Sequence, residues 1–179
     1  MTSAPQIVVV MGVAGSGKTT IGQRLASVLG WSYAEGDAFH PPANIAKMAS
    51  GVALSDADRW PWLDAIAGWI RMETAAGRSG VVACSALKRA YRDRLRAAWP
   101  ALCLVVLDVD RDELRRRLRD RPGHFFPEGL LDSQLATLEP PRADEHALVV
   151  SGAASPADVA ATVERITAML GATPARAPA

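Results

Sequence analysis

Lys18 and Thr19 end the run Gly12-Val13-Ala14-Gly15-Ser16-Gly17-Lys18-Thr19, with Thr20 next, and this meets the spacing G-x-x-x-x-G-K-[ST] of a phosphate-binding P-loop. Glycines let the backbone turn tightly and aim successive N–H groups at an anion. Lys18 is spaced to reach β- and γ-phosphates, and the Thr19 hydroxyl to take a magnesium ion. The expected ligands are therefore ATP and Mg2+. A second group begins at Gly36-Asp37-Ala38-Phe39-His40-Pro41-Pro42, where Asp37 follows a short strand-like run. A carboxylate at a strand's carboxyl end, facing the P-loop, can orient or accept the proton of an attacking hydroxyl. Capping of the Pro-started helix that follows is the alternative reading.

Basic residues supply the rest of the chemistry. The 20 Lys and Arg residues include only three lysines, Lys18, Lys47 and Lys88, each in or beside a segment expected to line the cleft. Lys47 and Lys88 are therefore candidate acceptor ligands. Lys88 and Arg92, four apart, are predicted to share a helical face and hold a carboxylate or phosphate, the arginine in bidentate fashion. Arg117 and Arg121, beside the Pro122-Gly123 break, read as lid arginines that neutralise charge spreading over a transferred phosphoryl group. No Asp ends the third strand to serve a metal; Ser85 is a weak substitute through water.

Positioning these groups requires strands alternating with helices. Apolar runs at 6–11, 32–35, 80–84, 102–108 and 147–151 are separated by helical patterns, which predicts an α/β fold with a five-stranded parallel sheet covered on both faces. A strand and P-loop opening such a series suits the three-layer P-loop kinase core with strand order 2-3-1-4-5, its ligands beyond the carboxyl ends of the strands. One domain over 1–171 is expected, with an acceptor-binding insert at about 37–79, a lid at about 117–139 and a disordered tail at 172–179. Helices are expected near Ala43–Ser50, Trp60–Ala76 and Glu128–Leu138, Ser55 and Asp58 fit a capping box, and Trp60, Trp62 and Trp69 are read as core.

Bulk properties exclude several classes. A net charge of +1 gives no global attraction to nucleic acid or an anionic membrane, and no apolar run reaches the roughly 20 residues that span a bilayer. The absence of a basic-then-apolar leader predicts a cytoplasmic protein. The arginine-rich stretch 111–121 is interleaved with acids and lacks aromatic platforms, which argues against nucleic acid. Cys84 and Cys103 are expected to lie about 10 Å apart with a strand between them, too far for a disulfide. The three histidines have no zinc-ligand spacing.

Taken together, Gly36-Asp37-x-Phe39-His40-Pro41, Asn44-x-x-Lys47-Met48-x-x-Gly51, Asp56-x-Asp58-Arg59-Trp60-Pro61-Trp62-Leu63, Cys84-Ser85-Ala86-Leu87-Lys88-x-x-Tyr91-Arg92-Asp93 and Arg121-x-Gly123-His124-Phe125, followed by Ser133-Gln134 and Leu138-Glu139-x-Pro141, resemble the small P-loop gluconokinases over about residues 6–151. The resemblance implies transfer of the ATP γ-phosphate to the 6-hydroxyl of D-gluconate, with magnesium, by a cytoplasmic homodimer of carbohydrate-acid catabolism. It further implies that Asp37 orients the hydroxyl, that His40, Lys47, Arg59, Lys88 and Arg92 contact the acid, and that His124 and Gln134 close over it. The residues alone stop at a small kinase with an anionic acceptor. A shikimate or nucleoside-monophosphate kinase, or a nucleotide-binding regulator without catalysis, remains the competing reading at this level.

Overall fold

A computed structural model of the chain describes residues 4–120, 128–152 and 155–175. The strands are β1 (Ile7–Met11), β2 (Ser32–Glu35), β3 (Gly80–Ala83), β4 (Cys103–Asp108) and β5 (Leu148–Ser151). The helices are α1 (Lys18–Leu29), α2 (Pro42–Ala49), α3 (Asp56–Ala75), α4 (Arg89–Arg96), α5 (Arg111–Arg119), α6 (Glu128–Thr137) and α7 (Pro156–Leu170), with 3-10 turns at Gly36–Phe39 and Ala143–Glu145. All strand pairs are parallel and the order is β2-β3-β1-β4-β5, as the pattern of runs predicts.

The central strand explains the layering. Every residue of β1 is buried, which a parallel strand covered on both faces requires. Alternation then divides its side chains: Ile7, Val9 and Met11 pack in a cluster with α3 and α4, while Val8 and Val10 pack with α1 and α7. A third cluster of Val13, Leu87, Leu114, Leu118 and Leu131 ties the P-loop to α5 and α6. Cys84 and Cys103 are both free thiols, and β1 lies between the strands that carry them.

Register fixes where the chemistry can sit. Val10 pairs with Ala83, and Ala83 pairs with Glu35, so one rung crosses β1, β3 and β2. Gly12, Ser85 and Asp37 each stand two residues beyond that rung, on the carboxyl edge of the sheet. With strands about 4.8 Å apart, β1 and β2 are about 10 Å apart, a gap suited to a phosphoryl group facing a hydroxyl.

Two helix starts differ from expectation. The predicted helix near Trp60 begins instead at Asp56, because Ser55 and Asp58 form the reciprocal capping box that ends the preceding loop. At α4, Lys88 is the N-cap in an extended conformation, so it lies outside the helix that was expected to carry it. In the tail, Ala172 packs against the α1–α7 core and the Ala175 N–H donates to Val28 O at 2.8 Å; residues 176–179 lie outside the described residues.

Candidate active site

The P-loop is shaped by glycine at the positions that need it. Gly12, Gly15 and Gly17 have φ of 153°, 79° and 97°. A Cβ on Gly12 would lie 2.6 Å from Ser16 Oγ, so a side chain there would fill the cradle. Gly17 caps α1 in the left-handed conformation without a side-chain acceptor, which leaves the first N–H groups of a 12-residue helix available to an anion. Lys18 Nζ folds over the loop to Val13 O at 3.0 Å, and the buried Ser16 Oγ has no hydrogen-bond partner among the described residues. Thr20 occupies the first turn of α1 and is exposed.

Thr19 is held by a residue that sequence reasoning missed. Its hydroxyl donates to Glu35 Oε2 at 2.8 Å, and the Tyr33 hydroxyl donates to the same oxygen at 2.7 Å. Alternation along β2 puts Tyr33 and Glu35 on one face, which was the available signal. With its proton directed at Glu35, Thr19 Oγ1 keeps lone pairs for a cation, and Glu35 Oε1 has no donor among the described residues. Burial, then the neighbouring Glu35, pushes the Tyr33 hydroxyl pKa upward and keeps that donor protonated. Among the described residues no group of three or more His, Cys, Asp or Glu is arranged to hold a metal alone. Such a donor set fits magnesium, which retains waters and binds through one or two protein groups plus phosphate oxygens.

Asp37 is brought to the same edge by Gly36. A Cβ on Gly36 would collide with Ala83 O and approach Cys84, so only glycine lets the chain cross the end of β3. Trp62 Nε1 donates to Gly36 O at 2.7 Å and pins the crossing, and His40 stacks on Trp62 with ring centroids 4.4 Å apart. Asp37 itself is exposed, lies in the 3-10 turn and does not cap α2, whose N-cap is Pro41. The buried Cys84 thiol, at the end of β3, reports the convergence. Burial pushes its pKa up to about 12, Asp37 and Glu35 add to the rise and Lys18 opposes it, so all three groups act on one point.

The insert gathers its polar groups around His40. Burial lowers the His40 pKa, against Asp37 and together with Arg59, so the imidazole is neutral at pH 7. Asn44 Nδ2 lies 3.3 Å from His40 Nδ1 and donates to Asp58 O at 2.7 Å. Lys47 Nζ meets Asp58 Oδ1 at 2.6 Å, and Lys88 Nζ meets both oxygens of Asp56 at 2.8 and 2.9 Å. Arg59 Nη1 donates to the Tyr91 hydroxyl at 3.0 Å, and that hydroxyl donates to Asp56 Oδ1 at 2.5 Å. Asp56, Asp58 and Tyr91 are thus further members of the cluster. Lys88, then Tyr91, holds the Asp56 carboxyl below the usual range, and Lys47, then Ser55, brings that of Asp58 down to about 2.

Arg92 departs from its expected role. It does not share an exposed face with Lys88; it is 2% exposed and its donors are spent internally. Nε and Nη2 grip Glu145 at 2.5 and 2.9 Å, and Nη1 donates to the carbonyls of Ala86, Leu87 and Glu139 at 3.3, 3.1 and 3.1 Å. The physical reason is its place in the first turn of α4, pointing inward under the β3–α4 turn, where Ala86 is held at a φ of 41°. Arg92 is a structural rivet joining that turn to the segment after α6.

On the lid side, Gln134 Oε1 accepts the Ala14 N–H at 2.7 Å, which puts it on the P-loop. Arg117 is held by Glu113 at 2.7 Å and reaches Gly152 O at 3.5 Å, facing the segment behind Ser16. Arg121 and His124 lie outside the described residues.

A nucleotide loop and a strand-end carboxylate on the carboxyl edge of a 2-3-1-4-5 sheet define a P-loop kinase, and residues 7–141 match the family described as AAA domain (AAA_33). The gluconokinase of Gluconobacter oxydans (strain 621H) is 51% identical over 152 residues, 85% of each chain. The crystal structure of a gluconokinase from Sinorhizobium meliloti 1021 superposes with a TM-score of 0.79 at 43% identity, covering 94% of this chain and 97% of that one. This chain belongs to the gluconokinase family. Shikimate kinase from Bacteroides thetaiotaomicron, at 20% identity and a TM-score of 0.60 over 93% of this chain and 98% of its own, shares the fold alone.

Proposed function

We propose that this protein transfers the γ-phosphoryl group of ATP to the 6-hydroxyl of D-gluconate, giving 6-phospho-D-gluconate and ADP. The observation that carries the reading is the rung Val10–Ala83–Glu35: Gly12 and Asp37 each follow it by two residues, on the same carboxyl edge with the end of β3 between them. The loop N–H groups, the α1 N-terminus and Lys18 hold the triphosphate. Asp37, exposed and without a hydrogen bond to its carboxylate among the described residues, receives the hydroxyl proton as the oxygen attacks. His40 presents a neutral ring, and Arg59, Lys47 and Lys88 bind the acid. Arg117 and Arg121 are assigned to charge developing on the phosphoryl group, and His124 and Gln134 to closing the site. The same reading includes Mg2+, a homodimer and a cytoplasmic location, which the family resemblance implies.

Bound magnesium supplies charge neutralisation between the phosphates. Thr19 Oγ1 would be its protein ligand in this reading, with Glu35 orienting that hydroxyl by accepting its proton. Glu35→Gln is expected to raise the Mg2+ concentration needed for half-maximal binding of ATP about 10- to 100-fold, measured by fluorescence titration, with metal-free nucleotide binding little changed. An unaltered Mg2+ requirement removes Glu35 from the metal site. For the reaction itself, ADP release is measured with D-gluconate, shikimate and nucleoside monophosphates as acceptors. Gluconate alone should support fast turnover, and strong turnover of a nucleotide refutes the assignment.

A further inference from the structure

Tyr91 is anchored in the core, yet its hydroxyl ends among the acceptor cations. The side chain is 1% exposed and belongs to the cluster that holds Leu63, Ile66 and Leu95, and Trp60 meets its ring edge-on with centroids 5.5 Å apart. At the end of that fixed ring the hydroxyl uses both of its functions: it accepts from Arg59 Nη1 and donates to Asp56, whose two oxygens accept from Lys88 Nζ. Arg59 and Lys88 also stand 5.5 and 5.7 Å from the ring centroid. Two cations, one on α3 and one just ahead of the first turn of α4, therefore converge on a single immobile group. A buried hydroxyl is satisfied by one partner, so packing alone is a weak reason for this convergence. Burial, then Asp56, pushes the Tyr91 pKa upward, which keeps the hydroxyl a donor at neutral pH.

We propose that Tyr91 is a positioning residue for the acceptor: its hydroxyl sets Arg59 directly, and Lys88 through Asp56, in the geometry in which they bind the acid. The proposal rests on the gluconate reading above. Lysine and arginine side chains carry much rotamer freedom, and an acceptor that has to freeze it binds more weakly than one that meets cations already held. Neither cation is used up by being held, because an ammonium and a guanidinium both keep further donors. Tyr91 itself need not touch the acceptor. The triphosphate and the reacting hydroxyl are assigned to Lys18 and Asp37, on the segments after β1 and β2, so the effect of Tyr91 falls on acceptor binding and not on the chemical step.

Tyr91→Phe removes the hydroxyl while keeping the ring and changing no charge. Calorimetric titration well below Tm should show the Kd for D-gluconate rising about 10-fold or more, with the Kd for ATP within about twofold of the parent. At saturating gluconate kcat should stay within about threefold, so that KM carries the loss. Action through a partner leaves a second signature. In an Arg59→Met background the hydroxyl has lost its direct partner, and the same Tyr91→Phe change should lower kcat/KM for gluconate no more than about threefold, whereas a loss as large as in the parent background overturns the proposal. A lower Tm with an unmoved gluconate Kd, or a variant that does not fold, would assign the hydroxyl to stability and overturn it too. An equal loss of ATP affinity, or a fall in kcat with KM unchanged, would do the same by placing Tyr91 outside acceptor binding. If the parent does not bind gluconate, the gluconate reading fails and takes this proposal with it; gluconate binding by the parent with an unmoved Kd in Tyr91→Phe overturns this proposal alone.

Discussion

Asp37→Asn is expected to lower turnover about 10²- to 10⁴-fold while ATP affinity stays near that of the parent. The separation of effects follows from the sheet. The nucleotide is assigned to the loop after β1, whereas Asp37 follows β2, two strands away, and makes no side-chain hydrogen bond among the described residues that its loss would break. Asparagine keeps the shape and one acceptor oxygen but cannot take the proton. Steady-state rates with a direct nucleotide-binding titration check both halves. Parent-like rates would remove Asp37 from the mechanism, and an equal loss of ATP binding would make it part of the nucleotide site.

Arg92→Met is expected to act on stability instead of on the acceptor. Removing one partner of a buried ion pair costs about 3–5 kcal/mol, and for a chain of this size each kcal/mol lowers Tm by about 2–4 °C, so a fall of about 6–20 °C should be seen. The sign with pH is fixed by Glu145. Burial alone would raise its pKa, but the Arg92 guanidinium and the Arg142 N–H outweigh it and hold the pKa at about 2, below the ordinary 4.5. The parent therefore has this contribution in full above pH 4.5 and loses it as pH falls toward 2. In the variant the buried carboxylate has lost its cation and gains by protonation, so the gap in Tm closes on acidification. A parent-like Tm with a raised KM for gluconate would instead return Arg92 to the acceptor site.

The parts of this architecture that depend on short-range pattern were legible in the sequence. The Ile7-Val8-Val9-Val10-Met11 run and its glycine loop define a buried strand entering a helix N-terminus, and such a unit opening a series of five runs suits the kinase core whose 2-3-1-4-5 order is observed. The placement of site residues was legible only where it follows from local position, as for Lys18 and Thr19 at the start of α1 and Asp37 just after β2. Arg92 was misplaced because four-residue spacing assumes both residues lie on a helix, whereas the chain bends at Ala86 and Lys88 remains extended. Its partner, Glu145, is 53 residues away, and no local pattern announces a pairing at that distance. Glu35 was missed because a carboxylate was sought only after the third strand, whereas the second strand supplies one that accepts from Thr19 across 16 residues. Asp56 and Asp58 read as helix-start residues, which they are, and their second role as counterions appears only once α2 and α4 bring Lys47 and Lys88 against them.

Phosphoryl transfer to the 6-hydroxyl can be followed by 31P NMR of a reaction containing the purified protein, Mg2+, ATP and D-gluconate. The γ-phosphate signal should be lost as a monoester resonance coupled to the two C6 methylene protons of the acid grows in. Gluconate left unmodified, or a phosphoester formed at another carbon, would contradict it.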